Sequence, residues 1–549
     1  MSMYKHSQDD DMTRRLPRSL RRESVTVSAF GGGASLEEAD RMANLSPRRA
    51  PALATRRPRG VLMPAVEGGT PHGMAVFDNR LFFAQGTTLY FMNSDAVLVA
   101  GAVSDTDKRF FVFRDCLYLF PDKLFIRAGS STLRPMELDS GVLDKATFEG
   151  STITLPGSLG WEALGFAVGD CLRVVNADSD IPAPEGYYRI TKLYGRIATV
   201  MGSFPTVYQS KAKFLRVIPD LERICVSGDR VYGFAGKDIY VSAAGSALDF
   251  YSKGAADGSD PAVLHMGTDG DITACVAWQG YVVFFKADRI CKLLGTRSDS
   301  FALQDRPAVG ITARLADTLC EVGGDLYYLA ENGVYRYRGQ EPECISAVGD
   351  AGVRGGVGGT DGRAYCLAVK RVGDQWRQYC YLPEGGVWYA EDGFHPASMV
   401  LRNGFLCLQG ADGYLWLASS DGRNTYCAYD ECRLTGAVEA SAVLAPDYRF
   451  QPDGCRLIRV AIRATSSAGT ADAGVPSLKV LAEYADGSAA RDINGNREVS
   501  LGIFTGTMTD RLLKIPVSPR LCDSVRLRLA MKGDWIIHAV TCEYERAGQ

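Results

Sequence analysis

The sequence has few histidines, no long apolar runs and almost no helical periodicity, and each shortage excludes something. Its five histidines, at 6, 72, 265, 395 and 538, never take an HxxxH or HExxH spacing. A His-based zinc centre or hydrolytic triad is therefore not expected. GxSxG, the P-loop and a dinucleotide fingerprint set between strand and helix are also missing. No apolar run approaches the roughly 18 residues that cross a bilayer. The opening "MSMYKHSQDDDMTRRLPRSLRRES" has no apolar core of a secretion signal. The chain is expected to be made in the cytoplasm, with no membrane partner. No CxxC pair occurs among the fifteen cysteines, many of which lie in strand-like runs, such as Cys225, Cys275, Cys366 and Cys407. They read as reduced, buried, small apolar side chains. The formal net charge of -3 gives no global attraction to nucleic acid.

What is present is β-sequence. With 549 residues and 46% hydrophobic content the chain can build a large core. From Val76 onward, short runs of Val, Ile, Tyr and Phe are broken by Gly, Asp and Asn at close intervals. Hairpins are predicted at 79–93, 114–128, 228–241, 323–339 and 402–418. Tyr232, Tyr281, Tyr327, Tyr365 and Phe405 mark corresponding strands 49, 46, 38 and 40 residues apart. That period matches the roughly 40 to 50 residues of a four-stranded propeller blade. Neither the WD dipeptide nor the kelch pattern is present, and a series of sandwiches is the competing architecture.

Two stretches break the period. Residues 148–216 carry short strands suited to a small closed barrel inserted between early blades. After about Asp430 the strands alternate apolar and polar residues, as in a sandwich with one solvated face. The first 62 residues hold eleven arginines between Arg14 and Arg59 and no lysine in that interval. One helix is expected over "SLEEADRMANL", with Ser35 as N-cap and Glu38 at N3. The fold class is thus all-β: an extended arm (1–62), first blades (63–147), an inserted barrel (148–216), remaining blades (217–430) and a C-terminal β-sandwich (431–549).

The candidate functional residues are the arm arginines Arg48, Arg49, Arg56, Arg57 and Arg59. Guanidinium forks bind carboxylates bidentately, which suits contact with a neighbouring subunit. They could also neutralise phosphates, but the stretch lacks aromatic platforms for single strands. No catalytic residue, metal or cofactor is expected. Asp269 and Asp271 in "HMGTDGDIT" offer loop oxygens for Ca²⁺, although turn chemistry explains them equally. The "GVRGGVGG" cluster (352–359) reads as a flexible loop.

The segments "FGGGASLEEADRMANLSPRRAPALATRRPRG", "DRVYGFAGKDIYVSAAGSALDFYS", "GYVVFFKADRICKLLGT" and "GGDLYYLAENGVYRY" resemble tailed-bacteriophage virion propellers. These are tail nozzle, tail tubular or packaged-DNA stabilisation proteins, and the resemblance extends over two thirds of the chain. It implies a homo-oligomeric ring, commonly a hexamer, in the virion tail below the portal and adaptor (the head–tail connector). Double-stranded DNA would pass through that ring without sequence recognition. The alternative is a tail-tip propeller that binds or degrades host surface glycans; its tryptophans (161, 278, 376, 388, 416, 535) are spread one per region rather than clustered for sugar stacking.

Overall fold

The fold was described from a computed structural model. It describes residues 22–27, 36–39, 41–49, 51–66, 69–93, 97–178, 180–255, 257–348, 352–373, 375–418, 438–444, 454–467, 474–485 and 498–546. Among the described residues, seven four-stranded blades make up the propeller. Blade 1 runs over strands Pro71–Phe77 to Val97–Ala102, and blade 2 over Arg109–Phe113 to Arg134–Pro135. Blades 3, 4 and 5 begin at Arg223–Ser227, Ala274–Trp278 and Cys320–Val322. Blade 6 runs from Val353–Thr360 to Val387–Ala390, and blade 7 begins at Pro396–Arg402. All five predicted hairpins are present as second and third strands of blades, and all five marker aromatics lie on second strands.

The period follows from packing. Each blade buries both faces against its neighbours, so apolar clusters fill every seam. Phe82 and Leu119 share the seam between blades 1 and 2. Phe234 and Phe284 share that between blades 3 and 4, and Cys380 and Leu408 that between blades 6 and 7. The ring closes where Phe83 of blade 1 meets Leu415 of blade 7. Four tryptophans, 161, 278, 388 and 535, are core residues. Nine of the thirteen cysteines in the described residues are buried, and Cys344 is exposed.

The barrel lies between blades 2 and 3. Its long strands Leu138–Thr154 and Ile197–Arg216 pair from Leu138↔Arg216 to Thr154↔Ile197. Cys171–Asn176 and Gly186–Tyr194 complete the circuit. The barrel therefore starts ten residues before the predicted 148. The sequence assigns the first half of its opening strand to the first blades, yet it is held by pairing with residues some seventy positions away, and Ala146 and Phe148 enter the barrel core.

The C-terminal unit is a two-sheet sandwich. One sheet has the order Leu45–Ser46, Leu53–Thr55, Asp534–Arg546, Cys455–Ser467, Met508–Pro516. The other runs Met42–Ala43, Glu439–Val443, Ser524–Lys532, Ser477–Ala485, Glu498–Thr505 and is continuous with blade 6. The predicted boundary at 430 lies outside the described residues.

The N-terminal segment is extended, as expected, but its described part from Leu36 is no free arm. Leu45 and Leu53 are buried in the sandwich core. Ala43 pairs with Ala390 of blade 6 on one side and Ser441 of the sandwich on the other. Gly60–Met63 supplies the fourth strand of blade 7. The helix is shorter than predicted, Leu36–Ala39, because Met42 and Ala43 are held in strand pairing. The glycine cluster is also not a loop. Residues Val353–Thr360 form the first strand of blade 6. A Cβ on Gly358 would lie 2.4 Å from the Thr318 carbonyl oxygen, so here glycine serves close approach rather than flexibility.

Candidate functional site

The predicted arginines divide into two groups. Asn44 adopts φ 58° and turns the chain between two short strands. Its side-chain amide donates to the Glu439 carbonyl at 2.8 Å and its Oδ1 accepts from Arg56 Nε at 2.7 Å. The turned chain then lays its arginines along blade 6. Arg48 pairs with Asp361 and donates to the Tyr389 hydroxyl at 3.2 Å. Arg56 reaches Asp392 at 2.7 Å. Arg59, 5% exposed, binds Asp392 at 2.6 Å, Glu391 at 2.8 Å and Gln378 at 3.0 Å. Its guanidinium also covers the Phe394 ring, 4.6 Å from the centroid. Burial alone would raise the Asp392 carboxyl; the charges and hydrogen bonds of Arg59 and Arg56 outweigh it and hold it below the ordinary carboxylate range. Arg49 and Arg57 are exposed.

Three of the five arginines thus bind carboxylates, as their chemistry suggests, but the carboxylates belong to the same chain. Sequence reasoning identified the donors and missed the acceptors, more than three hundred residues away. The signal that could have found them is the acidic pair Glu391–Asp392 directly after the strand "VWYA".

A second charged cluster joins the propeller's inner strands. Arg109 opens the first strand of blade 2 and Arg223 the first strand of blade 3. Both guanidinium groups meet Asp317, each at 2.8 Å. Asp317 lies in the 3₁₀ turn Ala313–Thr318 between blades 4 and 5. Burial opposes ionisation of Asp317, but the hydrogen bond from Arg223 and the charges of Arg223 and Arg109 keep its carboxyl below the ordinary range. Two cations on one anion leave one net positive charge there.

Among the described residues no two histidines are brought together. His72 sits between Asp105 at 2.6 Å and Asp107 at 3.2 Å. His265 meets Asp238 at 2.7 Å, His395 stacks on Trp376 at 3.8 Å, and His538 meets Thr465 at 2.9 Å. Among the described residues no group of three His, Cys, Asp or Glu could hold a metal ion. The Asp269 loop already has a cation: the Lys286 ammonium donates to the Thr268 carbonyl at 2.8 Å and the Asp269 carbonyl at 3.3 Å.

No protein-family model matches the chain, and no curated protein matches it in sequence. Among solved structures, the extracellular domain of a B. thetaiotaomicron one component system is similar over 66% of this chain, at 9% identity and a TM-score of 0.37. The match spans only 40% of that longer protein. BamB from Moraxella catarrhalis is similar over 73% of this chain and 99% of its own, at 11% identity and a TM-score of 0.30. The WD40 repeats of RRP9 are similar over 66% and 98%, at 8% identity and a TM-score of 0.33. These likenesses concern the fold alone.

Proposed function

We propose that this chain is a structural subunit of a tailed-bacteriophage virion. Copies form a ring of the tail nozzle, commonly a hexamer, that encloses the DNA-exit channel. The observation that carries the reading is the path of residues 42–63, which enter the sandwich, extend blade 6 and close blade 7. One segment thereby ties the sandwich and the propeller into a single stiff piece, which suits a wall under mechanical load. The ring contacts the head–tail adaptor and other tail proteins. DNA slides through without being gripped, since Arg48, Arg56 and Arg59 already have carboxylate partners and strong phosphate contacts would retain a polyanion. Electron microscopy of the purified protein, with antibody labelling of virions, tests the proposal. Open-centred rings, and label on the tail, are expected. A protein that stays monomeric at high concentration, or virions that carry no label, would overturn it.

A further inference from the structure

Residues Arg22–Val27 form a strand whose position is peculiar to the N-terminal end. It runs antiparallel to Asp534–Arg546, with Arg22 opposite Glu545 and Val27 opposite Val540. The other side of that long strand is occupied by Cys455–Ser467, and Ile536 and Ile537 are taken by Ala54 and Leu53. The strand 22–27 therefore fills the remaining open stretch, 540–545, of a sheet edge. An unfilled edge of this kind is a template for another chain's strand.

The tether of this strand lies elsewhere. The next described residues, Leu36 and Ala39, are buried in the core shared by blades 4, 5 and 6. The Leu36 amide donates to Ser346 Oγ at 2.9 Å. The strand thus docks on the sandwich while the chain that follows is anchored on the propeller. The connecting residues 28–35 read SAFGGGAS, and an extended chain of that length reaches roughly 25–30 Å. From Asn44 onward the segment is bound to its own chain by the buried contacts described above. The strand Arg22–Val27 stands apart from those contacts, paired along an edge that every copy presents identically.

We propose that the strand Arg22–Val27 is exchanged between copies, each docking its strand along residues 540–545 of the next. The register and main-chain hydrogen bonds are the same in either arrangement, so exchange adds connectivity without requiring new contacts. Donation in one direction around a ring leaves no edge unpaired and closes the assembly. The inference rests on the ring proposed above.

The register supplies the test, because Val25 stands opposite Cys542. Full-length Val25→Cys chains, isotopically light and heavy, are mixed before assembly and oxidised with glutathione disulfide, and the 25–542 cross-linked peptides are weighed. Rings are expected to contain light–heavy cross-links in the proportion random mixing gives. Cross-links within single chains only would overturn the exchange. If no cross-link forms, deletion of residues 1–27 decides: ring formation is expected to be lost while the propeller's unfolding temperature is unchanged. Normal rings from the deleted chain would overturn the exchange and leave the ring reading standing. Failure of the full-length chain to form rings under any condition would overturn both.

Discussion

Val61 lies directly opposite Trp416 in an antiparallel pair, so the propeller closes on a strand from the far end of the chain. The two residues are 355 positions apart in sequence, and the last blade is incomplete until both termini of the propeller are in place. Deleting residues 1–60 removes Leu45 and Leu53 from the sandwich core, and also Arg59 and Gly60. Each buried leucine contributes about 2–5 kcal/mol, so the loss is expected to exceed about 4 kcal/mol. Thermal unfolding of the truncated chain checks this; an unchanged midpoint would return these residues to the status of a free arm.

Arg59→Ala leaves Glu391 without its ion-pair partner in a site where both side chains are largely enclosed. Removing one member of such a buried pair destabilises by about 3–5 kcal/mol. Arg57→Ala, at an exposed position, is expected to stay within about 0.5 kcal/mol of the parent. Denaturant melts of the two variants should therefore separate clearly. Equal midpoints would show that the acids find other partners.

The Asp317 cluster predicts a pH dependence. Its carboxyl is depressed in the folded chain, so its stabilising contribution is complete above the unfolded value of about 4. That contribution is lost as pH falls through the lower folded value. Arg223→Gln should be less stable than the parent at neutral pH, by under about 1 kcal/mol because Asp317 is 40% exposed. The gap should narrow as the pH falls below the ordinary carboxylate range. A gap that persists unchanged into acid would assign the loss to packing instead of charge.

Gly358→Ala is expected to destabilise by about 1–3 kcal/mol or more, because backbone atoms of Thr318 occupy the place of the new methyl. Gly355→Ala meets only Lys370 Cβ at 3.9 Å and should be nearly neutral. Comparing the two by thermal unfolding tests whether glycine in this strand serves close approach. Equal effects would point to a general requirement for flexibility.

Duplex DNA titrated into the isolated protein at physiological salt should not bind with submicromolar affinity. Arg48, Arg56 and Arg59 are already held by carboxylates, and displacing those partners offsets any phosphate contact. Tight binding by the full chain that survives Arg49→Ala and Arg57→Ala, the two exposed positions of the segment, would replace a passive conduit with a clamp.

The blades are legible in the local pattern of the chain. Alternating apolar residues, a turn every few positions and a recurring aromatic are local signals, and a hairpin such as 230–241 is specified by residues that pair across a handful of positions. The strands of the barrel and the sandwich were legible for the same reason, whereas the barrel's start at Leu138 was not, because Leu138–Thr154 is fixed by pairing with a distant strand. Tertiary structure alone decided where the N-terminal segment goes. Ala43 has partners at 390 and 441, and Arg59 has its acids at 391 and 392. A two-residue strand carries no period, and an arginine carries no record of which carboxylate will face it. The glycine run 352–359 shows the same limit: its composition is that of a loop, and only the crowding of Thr318 and Met399 against it makes glycine the residue a strand needs there.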